Sequence, residues 1–422
     1  MKPKLFAFRM AFLTLVTAIL SGCGSQRYEA DYNGFNSAYA DSSNRQMLLN
    51  LARLDQHDPT YFLQFGQISV QYSFTGSING MVNNSVPQST LHVPILTETG
   101  GISAGGSTTP SFTFIPVADD KVAQELLQPV PANVLYTLFQ QGWPVDQLLR
   151  LMVERFEIQL PGETKVTTYV NTPDRGNVQS YIVFLKICAI AREFQRDGYL
   201  KLLGNEEFVP LAENWSSATA PTAKDLLDAQ DKHLIYQKDS DGKWELGSNE
   251  LIPRFVLEEG GEATIKRMRA TSTGEGKSLA NMEALLAQGF SVEGNYKEKD
   301  NTGPRMVLRS FLNILAAAAQ EQTSFHTLVE NSPLISRVPP IEARPILRLR
   351  WDKATEPLIP PLISLAYHDQ TYEVTDPVSG QIDEAASWNR DVFRLMTELA
   401  SQVSVDISKF PLPTSLQVLP SP

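Results

Sequence analysis

The sequence is poor in the residues that build most metal sites and disulfide frameworks. Its 422 residues include only two cysteines and five histidines. Two cysteines cannot crosslink several loops, which excludes a disulfide framework. The histidines are His57, His92, His233, His326 and His368. Because no two of them have the spacing of a metal-binding motif, we expect no metal ion or other cofactor.

Positive charge is also scarce. The formal net charge is −11, and Lys2, Lys4 and Arg9 contribute +3 of it, which leaves −14 on residues 23–422. No cluster of lysine and arginine with interleaved aromatic residues occurs in the sequence. Nucleic acid and anionic lipid surfaces are therefore not expected as partners.

No apolar run after residue 22 is long enough to cross a bilayer as a helix. The run at 10–20 has eleven residues without a charge. As a helix it measures about 16 Å, whereas a membrane span needs ~20 residues. A positively charged start precedes this run, and the small residues Ser21 and Gly22 follow it. This order is typical of a secretory signal peptide, which we place at 1–22.

The signal ends on Leu20-Ser21-Gly22-Cys23, which resembles the lipobox of bacterial lipoproteins. The resemblance implies cleavage before Cys23, diacylglycerol on its sulfur and a third acyl chain on the new amine. Several acyl chains bind a membrane firmly. Proteobacterial lipoproteins kept at the inner membrane often have Asp after the cysteine, whereas Gly24 stands here. The resemblance therefore implies an outer-membrane anchor and a periplasm-facing body, and a secreted protein with a chance cysteine is the alternative.

The spacing of apolar residues predicts an α+β protein with a β-hairpin or meander region, a short-helix bundle and a mixed C-terminal α/β region. The predicted regions after the signal are a lipidated tether and first helix at 23–60, a β-hairpin region with a Gly/Ser-rich loop at 61–117, a helical region at 118–205, a mixed β-rich region at 206–300 and a C-terminal α+β region at 301–422.

Several helices and strands are predicted from the periodicity of apolar residues and from capping residues. The helices are expected to begin at Ser42 or Ser43, at Pro144, at Asn177, at Val307 and at Ser387. The helix from Pro144 is expected to include Phe156, and the helix from Asn177 to extend to Leu200. Residues 347–351 alternate between apolar and basic side chains and are expected to form a strand.

Residues 61–117 have the most unusual composition in the chain. Apolar and uncharged polar residues alternate over 67–75 and again over 111–117, which predicts two strands. The polar stretch at 76–110 is expected to be a long loop, and Glu98 is its only charge. This pattern is typical of a hairpin that covers helices of its own chain. It is also typical of a strand between lipid and a water-filled lumen, so both interpretations stay open.

Cys188 has no second cysteine to pair with if Cys23 is lipidated. It shares a helix face with Tyr181, Phe184 and Ala191 at spacings of three and four residues. This spacing predicts a small buried thiol in a helix core. A reactive thiol is the alternative interpretation.

One sequence motif matches a catalytic pattern. Residues 101–105 have the Gly-x-Ser-x-Gly form of a hydrolase nucleophile, with Ser103 at the centre. That chemistry needs a strand before the serine and a helix after it. Pro110 and a predicted strand follow instead, so a flexible loop is the preferred interpretation. The acidic neighbours Asp383 and Glu384 could form an acid/base pair, as could Glu258 and Glu259, but adjacency in sequence does not show a cleft. No catalytic residue is therefore assigned.

Two charged patterns leave structural and functional interpretations open. Asp239, Asp241 and Gly242 suit a hairpin turn, with a calcium loop as the alternative. Arg390 and Asp391 either pin the last helix through an ion pair or mark a partner site.

Several short motifs resemble an uncharacterised family of lipoproteins from Gram-negative bacteria. They are Asn50-Leu51-Ala52-Arg53, Asp58-Pro59-x-Tyr61-Phe62-Leu63, Gln71-Tyr72-Ser73, Ser387-Trp388-Asn389-Arg390-Asp391-Val392-Phe393 and Val405-Asp406-Ile407-Ser408-Lys409-Phe410-Pro411. The likeness covers most of the chain after the signal. It implies one continuous architecture and brings no activity with it.

The expected function is that of a non-enzymatic envelope lipoprotein with a binding or scaffold role. Its expected contacts are membrane lipid, through the acyl chains on Cys23, and envelope proteins of unknown identity. Two alternatives remain: a subunit of an oligomeric membrane-inserted β-hairpin assembly, and a cell-envelope hydrolase.

Overall fold

The structure is a computed structural model, and the part of the chain that it describes begins at residue 32. The described residues are 32–81, 99–116, 126–159, 165–211, 216–258, 266, 290–293, 305–354, 356–378 and 384–403. Cys23 and the predicted signal peptide lie outside them. The contacts divide the chain into one compact unit of Met1–Thr60 with Asp120–Val405 and a second of Tyr61–Asp119 with Asp406–Pro422.

The unit that contains Tyr61–Asp119 has a long two-stranded antiparallel hairpin. Strand β1 spans Leu63–Met81 and strand β2 spans Thr99–Pro116. Their register runs from Leu63 opposite Pro116 to Met81 opposite Thr99. Residues 76–81 and 99–110, expected to be loop, are therefore strand. Glycines obscure the alternation in this part of the sequence, because a glycine has no side chain to mark a face.

A bulge lies near the base of this hairpin. The register shifts between Phe65, opposite Phe114, and Ile68, opposite Phe112. The apolar positions of β1 are odd-numbered before this shift and even-numbered after it. Three steps along β1 match two steps along β2 here, so β1 contains one extra residue, as in a β-bulge.

The described part of the other unit contains a mixed sheet. Its strands are β3 (Val153–Gln159), β4 (Val166–Val170), β5 (Leu200–Pro210), β6 (Ile235–Lys238), β7 (Trp244–Leu257), β8 (Phe290–Glu293) and β9 (Arg305–Leu308). The order is β4-β3-β9-β8-β7-β5, with β6 paired to β7. The β8–β9 pair is parallel and the other pairs are antiparallel.

Helices and a second small hairpin complete this unit. The helices are α1 (described over 32–55), α2 (Ala132–Gln140), α3 (Val145–Met152), α4 (Val178–Arg196), α5 (Ala223–Asp231), α6 (Phe311–Ser324) and α7 (Trp388–Val403). A π-helical turn at Phe325–Val329 follows α6, and 3-10 turns lie at Ile335–Arg337 and Glu384–Ser387. The hairpin consists of β10 (Ile363–Tyr367) and β11 (Gln370–Val374). The chain is thus α+β, as predicted.

The core forms around the apolar face of α4. Tyr181, Phe184, Cys188 and Ala191 are all buried, as the helical spacing predicts. Phe184 stacks on Phe156 of β3, with ring centroids 4.7 Å apart. Helix α4 therefore joins the sheet to the rest of the core.

Some predicted elements differ from the structure. Phe156 lies in β3 rather than on the helix from Pro144, because α3 ends at Met152. Leu200 lies in β5, so the region 118–205 is not only helical. Val307 lies in β9, and the following helix begins after Ser310, whose hydroxyl accepts a hydrogen bond from the Asn313 amide at 3.2 Å.

The start of α1 and the segment at 347–351 also differ from expectation. Ser42 and Ser43 lie inside α1 and do not cap it. Residues 347–351 are not part of a strand. Among the described residues, no helix is both long and apolar enough to cross a membrane.

Candidate functional site

An open groove lies where α6 ends, beside the β10–β11 hairpin. It has a volume of about 810 Å³. Its walls include Thr323, His326, Arg350, Trp351, Lys353 and Gln370. We call it the Trp351 groove. Its size falls within the range of about 300–1,000 Å³ typical of small-molecule sites.

The π-helical turn shapes one wall of this groove. Phe325 and Val329 anchor the turn in the core, whereas His326 and Thr327 are exposed and line the groove. His326 Nδ1 lies 2.7 Å from Glu330 Oε2, one helical turn further on. Isolated π-helical turns are rare and often occur at functional sites.

Another wall is an extended segment held mainly by side chains, with one backbone hydrogen bond from the Glu373 amide of β11 to the Leu349 carbonyl at 2.8 Å. Gln322 Oε1 accepts hydrogen bonds from the amides of Leu349 at 3.0 Å and Arg350 at 3.2 Å. Gln322 Nε2 donates to the Arg350 carbonyl at 2.8 Å. Asn389 Oδ1 on α7 accepts from the Arg348 amide at 2.8 Å. The alternation of the sequence is therefore real, but most backbone partners of the segment are amide side chains, and one is the Glu373 amide of β11.

Trp351 is fixed at the centre of the groove. Its indole Nε1 donates to the Glu373 carbonyl at 3.3 Å. The guanidinium of Arg348 lies 4.3 Å from the ring centroid and is itself 3.0 Å from Glu356. The ring is half-buried and still lines the groove. A fixed aromatic ring of this kind offers contact area at little entropic cost.

The two cations that line the groove each have a carboxylate partner. Arg350 Nη2 lies 3.2 Å from Asp55 Oδ1, and it also donates to the Thr323 hydroxyl. Lys353 Nζ lies 2.8 Å from Glu373 Oε2. The carboxylates of Asp55 and Glu373 are almost fully buried. The charge of each of these two cations is therefore balanced by a carboxylate.

The end of α1 is attached to the β10–β11 hairpin next to this groove. The Tyr372 hydroxyl donates to Asp55 Oδ2 at 2.7 Å. Burial and this hydrogen bond raise the pKa of Tyr372 to about 12. The Tyr367 hydroxyl donates to Asp58 Oδ2 at 2.8 Å, and His368 Nε2 lies 3.1 Å from the same oxygen. Hydrogen bonds from Tyr367 and His368 lower the pKa of Asp58. The Asp58 motif thus has a structural role in positioning the hairpin.

A second cluster of charged groups lies in the core and centres on Arg150 of α3. Arg150 is fully buried and bonds Glu321 at 3.0 Å and Glu342 at 3.1 Å. Glu321 Oε1 also accepts from the Tyr181 hydroxyl at 2.7 Å and from the Ile346 amide at 2.8 Å. This cluster joins α3, α4 and α6 to the extended segment behind the groove.

The cluster contains a carboxyl pair. Burial, followed by the neighbouring Asp146 carboxyl, raises the pKa of Glu342 well above its usual range. The raised pKa favours the neutral acid form of Glu342 in the folded protein. Burial also raises the pKa of the Cys188 thiol well above its usual range. Cys188 is therefore a core residue with an unreactive thiol, because only a thiolate is strongly reactive.

Replacing Glu342 should change how stability depends on pH. The folded protein keeps a proton on Glu342 that the unfolded chain releases above about pH 4.3. Its contribution to stability is therefore complete at lower pH and is lost as the pH rises toward the folded-state pKa. Glu342→Gln keeps an uncharged side chain throughout. We expect its free energy of unfolding, relative to wild type, to increase between about pH 5 and pH 8. Urea denaturation at each pH measures this difference, and a constant difference would contradict a protonated Glu342.

The sequence candidates that the structure describes include residues of a strand and of turns. Ser103 lies in β2, opposite Ser77, so the strand-turn-helix geometry of a hydrolase nucleophile does not occur at this position. His57, His233 and His368 have positive φ angles, which suit turn residues. No group of three His, Cys, Asp or Glu that could hold a metal ion occurs within the described ranges. His92, Glu259 and Asp383 lie outside those ranges.

The charged patterns left open by the sequence have structural roles. Asp239 Oδ1 accepts from the amides of Asp241 at 2.9 Å and Lys243 at 2.8 Å, which forms a turn between β6 and β7. Arg390 Nε lies 3.1 Å from the buried Asp376. Asp391 accepts from the Ser387 hydroxyl at 2.6 Å at the start of α7. These contacts account for both patterns without a calcium ion or a partner.

Sequence reasoning missed the residues that build the groove and the buried cluster. Arg350 and Trp351 were expected only as part of a strand. Arg150 interrupts an apolar run between Leu149 and Leu151, and that interruption was the available signal.

No family model, curated protein or solved structure matches the chain.

Proposed function

We propose that this chain is a lipid-anchored protein of the bacterial outer membrane, faces the periplasm and binds a ligand or partner through the Trp351 groove. The observation that carries the binding role is the groove itself, an open site with two walls fixed by hydrogen bonds. The sequence features at Cys23 support the anchor.

The chemistry of the groove favours binding over catalysis. Arg350 and Lys353 are held by carboxylates and so are positioned as contact residues. Among the described residues, the acidic groups with pKa values raised well above their usual range are Tyr181, Cys188 and Glu342. All three are buried, and none lines the groove. An active site usually has such shifted groups in its cleft.

A photo-crosslinking residue in the groove tests the binding role. Ala354 is exposed and lines the groove, and Lys224 on α5 is an exposed control position. We expect p-benzoylphenylalanine at residue 354 to give discrete adducts in living cells, detected by immunoblot. The same residue at position 224 should not give them. No adduct at 354, or the same adducts at both positions, would contradict binding in the groove.

The hairpin supports a second candidate, an oligomeric membrane-inserted β-hairpin assembly. Strands β1 and β2 contain no Asp, Glu, Lys or Arg, although charged residues make up 20% of the chain. No third strand pairs with either of them in the part of the chain that the structure describes. Edge strands of folded proteins are commonly protected by charge, and a two-stranded hairpin alone is marginally stable. These features favour pairing with hairpins of other copies.

The length of the hairpin tip also fits this candidate. Gln71–Met81 pairs with Thr99–Thr109, eleven residues on each strand. A tilted membrane strand needs about 9–11 residues. Pro110 marks the base of this segment, because proline cannot donate a hydrogen bond to a neighbouring strand.

Shortening the hairpin tests this second candidate. Asn-Gly in place of residues 77–103 leaves Gly76 opposite Ala104 as the closing pair and favours a tight turn. The assembly candidate predicts that the full-length protein is an oligomer in detergent and the shortened protein a monomer, as measured by light scattering. An unchanged size for the shortened protein would contradict hairpin-mediated assembly.

A further inference from the structure

We infer that the Trp351 groove binds an uncharged glycan. This inference rests on the proposed function, since it names the ligand class of the same groove. It follows from the charge balance, the fixed aromatic ring and the kinds of polar groups that line the walls.

The charge balance argues against a strongly anionic ligand. Arg350 is held by Asp55 at 3.2 Å and Lys353 by Glu373 at 2.8 Å. A ligand anion would compete with these buried carboxylates for the same cations. The net charge of −11 also repels anions at long range. A ligand with neutral polar groups avoids both costs.

Trp351 supplies the apolar contact that a sugar ring needs. Its indole is held by the Glu373 carbonyl, and Arg348 lies against the ring at 4.3 Å from its centroid. The C–H groups on one face of a pyranose pack against such a ring. A fixed indole can therefore bind a sugar without ordering a mobile side chain.

The polar groups around the ring match sugar hydroxyls. The lining contains three threonine hydroxyls, the Gln370 side-chain amide and the Asp352 carboxylate; the threonines are Thr323, Thr327 and Thr371. Threonine hydroxyls and the glutamine amide both donate and accept hydrogen bonds, and a carboxylate accepts them. Sugar hydroxyls also donate and accept. The open shape of the groove admits a chain that continues beyond the bound units.

An array of oligosaccharides tests this inference on the full-length protein in detergent. The array carries neutral oligomers of glucose, galactose, mannose and N-acetylhexosamine together with oligogalacturonates, and titration calorimetry follows each hit. We expect saturable binding of a neutral oligomer. Oligogalacturonate of the same length should bind at least tenfold more weakly. No neutral hit, or tighter binding of the acidic oligomer, would overturn the inference.

Variants locate the site. Trp351→Ala should weaken binding at least tenfold, and Trp351→Phe should weaken it less. Trp244→Ala is the matched control, because Trp244 is also half-buried under a cation, with Lys238 Nζ 5.1 Å from its ring. Ala354→Trp fills the exposed rim without removing a core contact and should also block binding. If both Trp351→Ala and Ala354→Trp bind as wild type does, the groove is not the glycan site.

The outcomes separate this inference from the proposed function. Adducts at residue 354 without any glycan binding would overturn the glycan inference and leave the groove as a binding site for another ligand. If neither adducts at residue 354 nor glycan binding is observed, the proposed binding role and the glycan inference are both overturned.

Discussion

Replacing Arg150 with methionine should lower the free energy of unfolding by about 3–5 kcal/mol. Arg150 is fully buried and bonds Glu321 and Glu342, whose side chains are at most 2% exposed. Methionine fills much of the same volume but leaves the Glu321 carboxylate without its cation and Glu342 without the donor that Arg150 provides. A buried carboxylate without a partner is strongly unfavourable. Urea denaturation followed by tryptophan fluorescence measures the change.

Arg155→Met is the matched control for this variant. Arg155 also contacts two carboxylates, Glu154 at 2.6 Å and Glu157 at 2.9 Å, but its side chain is 33% exposed. Exposed ion pairs contribute about 0–1 kcal/mol. Equal losses in the two variants would show that the buried cluster does not hold the core together.

Local periodicity was sufficient to predict α4, because the helix is long and one face is continuously apolar. It failed at Phe156 for a definite reason. The register of β3 against β9 shifts between Val153 and Arg155. This irregularity puts the buried Val153 and Phe156 three residues apart, which is also a helical spacing.

The groove and the buried cluster depend on contacts that no local pattern contains. Arg150 is separated from Glu321 by 171 residues and from Glu342 by 192. Asp55 and Arg350 come from opposite ends of the unit. The extended segment at 347–351 alternates as a strand does, but it is held mainly by the side chains of Gln322 and Asn389, with one backbone hydrogen bond from Glu373. Only the folded arrangement shows that these residues form one site.

The hairpin shows a further limit of sequence patterns. The polar and glycine-rich stretch after Thr75 was expected to be a loop, yet the register continues to Met81 opposite Thr99. The absence of charge in 61–117, apart from Glu98, is evident in the sequence. The extent of the pairing is not, because the glycines at 76, 80, 100, 101, 105 and 106 interrupt the side-chain pattern that identifies a strand.

The second large effect is expected at Cys23, and it concerns the membrane anchor on which the proposed location depends. Cys23→Ala should abolish incorporation of a clickable palmitate analogue and leave an uncut precursor, because the proposed anchor uses this thiol as the acceptor of the first lipid. Cys188→Ala is the matched control, since Cys188 is the only other cysteine in the chain and is buried in the core.

Palmitate labelling combined with density-gradient fractionation of the cell envelope tests the central claim most directly. We expect the wild-type protein and Cys188→Ala to be labelled, processed and found with the outer membrane. Cys23→Ala should be unlabelled, uncut and absent from the outer-membrane fraction. Processing and label retained in Cys23→Ala would contradict a lipid-anchored envelope protein.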